Sequence, residues 1–333
     1  MNKELKVSVL MLTYNQERYI DEAIRSVMLQ QTNFPFELII GNDASTDATG
    51  EVCRAWKEKY PDQIVLLDRE TNLGLQQNFI QSYNQCSGTY VAICEGDDFW
   101  TNKHKLQKQV DFLDAHADYS TCFHRVINYY EGSGTKSLSN GGQKAETTIV
   151  DLARSNYISN VSVLFRRNLF GPLPEWFATV STYDYAIHLL NAQYGKIHYM
   201  KQPMAVYRQH SKAIWSKAGL DKKLTIALTI RELLMAYFQE RNRPEVYETL
   251  LTAHTHICIA LIRYYQSTGE TDKVSQTEAV IQRYHPHWTM EEIAALARPV
   301  KPNAKQQLHQ ALFYVLKQCR RVVSRFIPLP SIS

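Results

Sequence analysis

The feature that most constrains the fold is an alternation in the first hundred residues, where short apolar runs are each followed by a segment with helical periodicity. The runs are KVSVLM (6–11), FELIIG (36–41), IVLL (64–67) and YVAIC (90–94), and they read as buried strands. Between them, residues 17–30, 46–60 and 75–86 read as helices. Strand, helix, strand at this spacing predicts right-handed βαβ units, and so an α/β fold with a mostly parallel central sheet flanked by helices. Ligands on such sheets bind beyond the carboxyl ends of the strands. The residues that follow each run are Thr13-Tyr14-Asn15, Asn42 to Asp47, Glu70 to Gly74, and Glu95-Gly96-Asp97-Asp98. Every one of these segments is polar, and two are acidic.

With 333 residues, 44% of them hydrophobic and 21% charged, the chain has material for a core and a second, smaller unit, which excludes disorder as its default state. Beyond Asp98, residues 103–116 read as a helix, 120–130 as a strand, and the Gly/Ser/Lys-rich stretch 131–144 as a mobile loop. A helix over 148–155, a strand over 162–166, a helix over 183–194 and a strand over 196–208 follow. From residue 218 the pattern is helical, with breaks at Asn242-Arg243-Pro244, Pro286 and Pro302. Residues 1–217 are therefore expected to form one domain in two halves, about 1–100 and about 101–217. Residues 218–333 form a helical C-terminal region. The segment 301–333 carries six lysines and arginines and no acid, a charge of +6, so with a formal net charge of +4 for the chain residues 1–300 are at −2.

The six cysteines form no CxxC pair and lie mostly in apolar stretches, which fits a reducing, cytoplasmic setting. The N-terminal apolar run is too short for a secretory signal, and no run approaches the ~18 apolar residues of a membrane span. No GxGxxG follows the first strand and no GxxxxGK[ST] occurs, which counts against phosphate-cradling loops of those types.

Three acids in four positions, Glu95, Asp97 and Asp98, close the fourth strand. Carboxylates crowded in this way repel one another and lose solvation, so a half-buried cluster calls for a cation, and oxygen ligands suit magnesium or manganese. The plainer alternatives are a solvated acidic turn, or Asp98 as N-cap of the next helix. Asp43 at the second strand end could accept from a base or sugar, or simply cap a turn. Thr13 to Asn15 could cap the first helix. His254 and His256 lie two apart on a helical pattern and face different directions, while His285 and His287 flank a proline in a helix-breaking loop.

In this order and spacing, VSVLMLTYNQERYIDEAIRSVMLQQ, ELIIGNDASTDAT, NLGLQQNF and YVAICEGDDFWTNKHKLQKQVDFL resemble the family-2 glycosyltransferases, whose nucleotide-sugar domain has the glycosyltransferase-A fold. The resemblance covers about the first two thirds of the chain, down to VYRQHS, and implies that residues 1–217 are a nucleotide-sugar-binding and catalytic domain with a donor half over about 1–100 and an acceptor half over about 101–217. It implies an inverting enzyme, dependent on Mn2+ or Mg2+, that moves a single sugar from a nucleotide-diphosphate sugar, a UDP-sugar by preference, to a saccharide or lipid-linked saccharide. Bacterial surface polysaccharide or glycolipid assembly is the setting that family habit suggests.

By the same resemblance Thr13, Tyr14 and Asn15 line the nucleotide pocket, Asp43 contacts the base, Asn72 and Gly74 approach the donor, Asp97 contacts ribose or metal, and Glu95 is an outer acid of the nucleotide-sugar site. Asp97, Asp98 and His210 hold the metal. Many relatives begin the metal motif with aspartate where this chain has Glu95, and many carry Glu-Asp where it has Tyr183-Asp184. Asp184 is then the expected catalytic base, with a first-turn helix acid as the plainer reading. Arg208 is open between a phosphate contact and a core ion pair, and Asn160 is a weaker candidate for the acceptor. The competing reading is a catalytically silent scaffold of the same fold. In the tail, apolar residues from Leu308 to Ile327 recur near the helical period with Lys317, Arg320, Arg321 and Arg325 outside the stripe. That basic amphipathic helix is expected either on the inner face of the plasma membrane or against protein, including a second copy. No nucleic-acid partner is expected.

Overall fold

The computed structural model describes residues 4–211 and 219–298. The described residues fall into two compact units, one spanning 4–152 and 156–210, the other consisting mainly of 219–298. The amphipathic segment 308–327 and the proposed junction at 217 lie outside the described residues.

The first unit is built on a single sheet in the order β3-β2-β1-β4-β9-β6-β10-β5, with β7 added to β6 and β8 to β10. Its first half follows the alternation in the sequence: β1 (Val7–Thr13), α1 (Ile20–Met28), β2 (Phe36–Asn42), α2 (Thr49–Lys59), β3 (Ile64–Asp68), α3 (Leu75–Tyr83) and β4 (Tyr90–Ile93). These four strands pair in parallel. All seven residues of β1 are buried, as a central strand covered on both faces requires. Val7, Val9 and Met11 pack with Ile20, Ile24 and Val27 of α1 and Leu106 and Val110 of α4 (Lys105–Ala115). On the alternate face Gly41 lies under α3, where a Cβ would come within 2.4 Å of Ser82 Oγ and 2.5 Å of Asn78 Oδ1.

Beyond β4 the sheet becomes mixed, as antiparallel strands join parallel ones. β9 (Leu164–Arg166) runs antiparallel to both β4 and β6 (Tyr119–Tyr130). It is reached through a short 3-10 turn at Asn160–Ser162, and a strand entered without a crossover helix is free to run backwards. β10 (Lys196–Gln209) pairs in parallel with β6 and antiparallel with β5 (Phe99–Trp100) and β8 (Glu146–Thr147). The stretch expected as a mobile loop is partly ordered, because β7 (Thr135–Leu138) closes a hairpin on β6 and Ser139 exchanges hydrogen bonds with Val126. α5 (Ile149–Arg154) and α6 (Asp184–Ala192) complete the elements of this segment.

The second unit contains α7 (Leu220–Glu240), α8 (Pro244–Thr268), α9 (Thr271–Tyr284) and α10 (Met290–Ala297). Pro244 opens α8 at a position where its missing N–H costs nothing. Leu228, Cys258, Leu261, Ile262, Ile281 and Ile293 give this unit its own core. His254 is fully buried, next to Glu232 at 3.3 Å, while His285 stacks on Trp288 in the break before α10. The five described cysteines are buried and free, and burial pushes the Cys53, Cys86, Cys122 and Cys258 thiols up to about 12. No described helix is long and apolar enough to cross a membrane.

Candidate active site at the carboxyl edge of the sheet

Because β2, β1 and β4 are parallel neighbours, their carboxyl ends lie side by side and bring the polar segments into one region. Helix α1 starts at Ile20, later than the pattern suggested, because Asn15 adopts a left-handed backbone at φ 53° and spends the turn on contacts with the next loop. The Asn15 amide donates to Ser45 Oγ at 3.0 Å, and Asn15 Oδ1 accepts from the Thr46 amide at 2.8 Å. Thr13 is buried and donates to Gln16 Oε1 at 2.8 Å, whereas Tyr14, at 48% exposed, stands free at the rim.

Asp43 is also buried. Its carboxylate accepts from the Leu73 amide at 2.7 Å and the Gly74 amide at 3.0 Å, and its carbonyl accepts from Asn72 Nδ2 at 2.9 Å. Gly74 sits at φ 78°, in the left-handed region where a side chain would be strained. The loops after β1, β2 and β3 are thus one hydrogen-bonded cradle. Asp43 is both a turn-former and a carboxylate with lone pairs to spare.

Gly96 fixes this cradle to the acidic motif. Its amide donates to the Leu12 carbonyl, and a Cβ on it would lie 2.5 Å from Gln16 Oε1 and 2.8 Å from Thr13 Oγ1. Glu95, Asp97 and Asp98 follow, with ligand oxygens all within 4.8 Å of one another. Asp98 does not cap α4, which begins seven residues later at Lys105. Instead Asp98 is fully buried, its Oδ1 accepts from the Arg208 amide at 2.8 Å, and its Oδ2 has no partner. Asp97 Oδ2 meets His210 Nε2 at 3.1 Å, and His210 Nδ1 is buried without a partner. Glu95 Oε1 accepts from the Tyr183 hydroxyl at 2.7 Å and from Asn160 Nδ2 at 3.1 Å.

Arg208 proves to be an internal clamp. One guanidinium nitrogen is paired with Glu22 and another donates to the Asp97 carbonyl at 2.8 Å, while the plane lies over Phe99 at 4.5 Å. That answers the open question in favour of the core ion pair. Neither Glu22 nor the Tyr183 hydroxyl stood out in the sequence, since their partners lie 186 and 88 residues away.

Crowding governs the electrostatics. Burial and then the Asp97 charge push Glu95 up to about 7, and burial followed by Asp97 and Glu95 holds Asp98 well above the usual carboxylate range. Asp184, at the first turn of α6, is half-buried and raised chiefly by burial, and its Oδ2 accepts from Asn156 Nδ2 at 2.9 Å. Tyr207, which the sequence reading passed over, has its phenol raised by burial and then by Asp98, Glu95, Asp97 and Asp184. All four carboxylates are thus near enough to this phenol to disfavour its ionised form. A divalent cation fits this donor set, which offers hard oxygens and a buried orphan at Asp98 Oδ2, while His210 stands beside the cluster through its contact with Asp97.

A parallel β3-β2-β1-β4 half with a loop cradle and an acidic cluster at its carboxyl edge defines a class, the glycosyltransferase-A type of nucleotide-sugar fold. Residues 8–173 match the model described as Glycosyl transferase family 2, and the chain belongs to that family. An uncharacterized protein of Mycobacterium tuberculosis is 36% identical over 219 residues, which is 65% of this chain and 62% of that protein. The chain thus aligns with less than two thirds of that relative. The abequosyltransferase RfbV of Salmonella typhimurium is 32% identical over 117 residues, 35% of each chain. Among solved structures, residues 1–349 of S. aureus TarS, in complex with UDP-GlcNAc, share the fold with a TM-score of 0.53 at 19% identity, over 84% of this chain and 92% of that one.

Proposed function

We propose that the chain is an inverting, divalent-cation-dependent glycosyltransferase that moves one sugar from a nucleoside-diphosphate sugar, a UDP-sugar by preference, to a hydroxyl of a saccharide or lipid-linked saccharide. The observation that carries this reading is the convergence of Glu95, Asp97 and Asp98 within 4.8 Å, with Asp98 Oδ2 buried and unpartnered. A fold does not retain such a group for stability, because a carboxylate without a partner costs desolvation free energy.

Asp97, Asp98 and His210 would hold manganese or magnesium, which when bound supplies the positive charge that a departing diphosphate needs. The cradle of Thr13, Tyr14, Asn15, Asp43, Asn72 and Gly74 binds and orients the nucleotide and leaves the anomeric carbon toward α6. Asp184 accepts the proton of the acceptor hydroxyl as that oxygen attacks, and its raised affinity for protons suits a base working near neutral pH. One displacement with one base inverts the anomeric centre and needs no nucleophile on the protein.

The test is nucleotide release from a panel of UDP- and GDP-sugars with and without manganese, with the anomeric configuration of the product read by NMR. Manganese-dependent release with inversion is expected. Release in the presence of EDTA, or retention, overturns the mechanism, and no release from any donor favours the silent-scaffold reading.

A further inference from the structure

The structure brings Glu95 of the acidic motif and Tyr183, which precedes α6, into direct contact. Tyr183 is 2% exposed. Its hydroxyl donates to Glu95 Oε1 at 2.7 Å and accepts from Asn160 Nδ2 at 2.9 Å, while the same Nδ2 reaches Glu95 Oε1 at 3.1 Å. The three side chains close a hydrogen-bonded triangle. The Tyr183 ring stacks on Phe79 at 4.0 Å between centroids, and Phe79 lies in α3, the helix that the Asn72 to Gly74 loop leads into. The next residue in the chain is Asp184, the first of α6. A single side chain therefore touches the acidic motif, the helix beyond the cradle and the turn from which the proposed base projects.

We propose that Tyr183, with Asn160, is a positioning residue that holds the first turn of α6 in register with the acidic motif, so that occupation of the donor site is transmitted to the placement of Asp184. The inference rests on the function proposed above. An aspartate at 95 is one methylene shorter and would leave the buried phenol O–H without its carboxylate acceptor. The longer acid and the tyrosine thus form one unit, and the triangle replaces the charge repulsion that two neighbouring acids would impose. Asp184 is left as the one carboxylate of the Tyr183-Asp184 pair.

The test compares the full-length wild type with Tyr183→Phe, which keeps the stacked ring and removes the hydroxyl. Amide hydrogen exchange is measured with no ligand and with manganese plus UDP, and transfer to a saccharide is measured beside donor hydrolysis by water. In the wild type, ligand is expected to slow exchange in the first turn of α6 at least about fivefold, an effect lost in Tyr183→Phe. Transfer falls about tenfold or more relative to hydrolysis in Tyr183→Phe, with donor KM changed less than about twofold. Ligand binding that leaves the α6 amides unmoved in the wild type overturns the inference, as does the same protection in Tyr183→Phe. Without ligand, α6 amides that exchange equally in the wild type and Tyr183→Phe overturn it as well, and this arm needs no turnover. A wild type that binds no nucleotide under any metal condition fails the functional reading instead.

Discussion

Asp98 shows what a single side chain gives up when a fold is arranged around chemistry. With Oδ1 spent on the Arg208 amide and Oδ2 buried with no partner, its ionised form is disfavoured by burial and by two neighbouring acids. Replacing it by asparagine keeps an acceptor for Arg208 and removes the charge. In metal-free protein Asp98→Asn is therefore expected to hold or raise Tm by a few degrees while nucleotide release falls at least about 100-fold, the pattern of stability exchanged for activity. A metal-free Tm lowered by more than about 5 °C would show that the carboxylate is structural.

Lys105 is a second buried charge, and it supports no chemistry. Fully buried, it donates to Gln109 Oε1 at 2.8 Å, lies 4.1 Å over Trp100, and is pushed down by burial to about 7 from 10.5. A base with a depressed folded pKa is protonated more readily in the unfolded chain between those two values. The folded state therefore gains stability as pH rises from about 7 toward 10. The Tm advantage of Lys105→Met over the wild type should accordingly be largest near pH 7 and shrink by pH 9, and a constant difference across that range contradicts it.

At the scale of elements, the part of the sheet built from β1 to β4 was legible because each local signal agreed with the others. Strands β1 to β4 carry consecutive apolar residues, and the polar residues that follow them fall where a parallel sheet exposes its carboxyl ends. The starts of α1 and α2 were read a few residues early, because Asn15 and Ala44 take left-handed conformations set by contacts between loops that no local pattern records. The sequence likewise gave no sign of the pairing of β9 or of the β7 hairpin, whose partners lie far along the chain or whose glycines resemble those of a loop. In the site, the acids at 95, 97 and 98 were visible by composition. The clamp of Arg208 on Glu22 and the phenol of Tyr183 were not, since nothing in their spacing distinguishes them from core residues. Gly96 was passed over for the same reason. Its place between the cradle and the motif predicts that Gly96→Ala, whose methyl would meet Gln16 and Thr13 below 3 Å, destabilises by about 1–3 kcal/mol. The denaturant midpoint should fall without a change in m, and manganese affinity should fall with it. An unchanged midpoint would mean that the Thr13 side gives way freely.

At the scale of the whole molecule, the two units have separate cores, one centred on β1, α1 and α4, the other on Leu228, Cys258, Leu261 and Ile293. Every residue assigned to donor binding, and the proposed base, belongs to the first of them. A ligand that binds only the folded first unit stabilises it by mass action, by about 2.7 kcal/mol at a hundredfold excess over Kd, which for a unit of this size is a shift of roughly 5–10 °C. Calorimetry of the full chain with manganese and UDP is therefore expected to resolve two transitions and move one of them, leaving the other within about a degree of its ligand-free value. The same scan on Asp98→Asn should move neither, because the cation that joins the diphosphate to the protein has lost its buried oxygen. Were both transitions to rise together in the wild type, the helical unit would be energetically coupled to the donor site, and the separation of cores would not be a separation of stabilities.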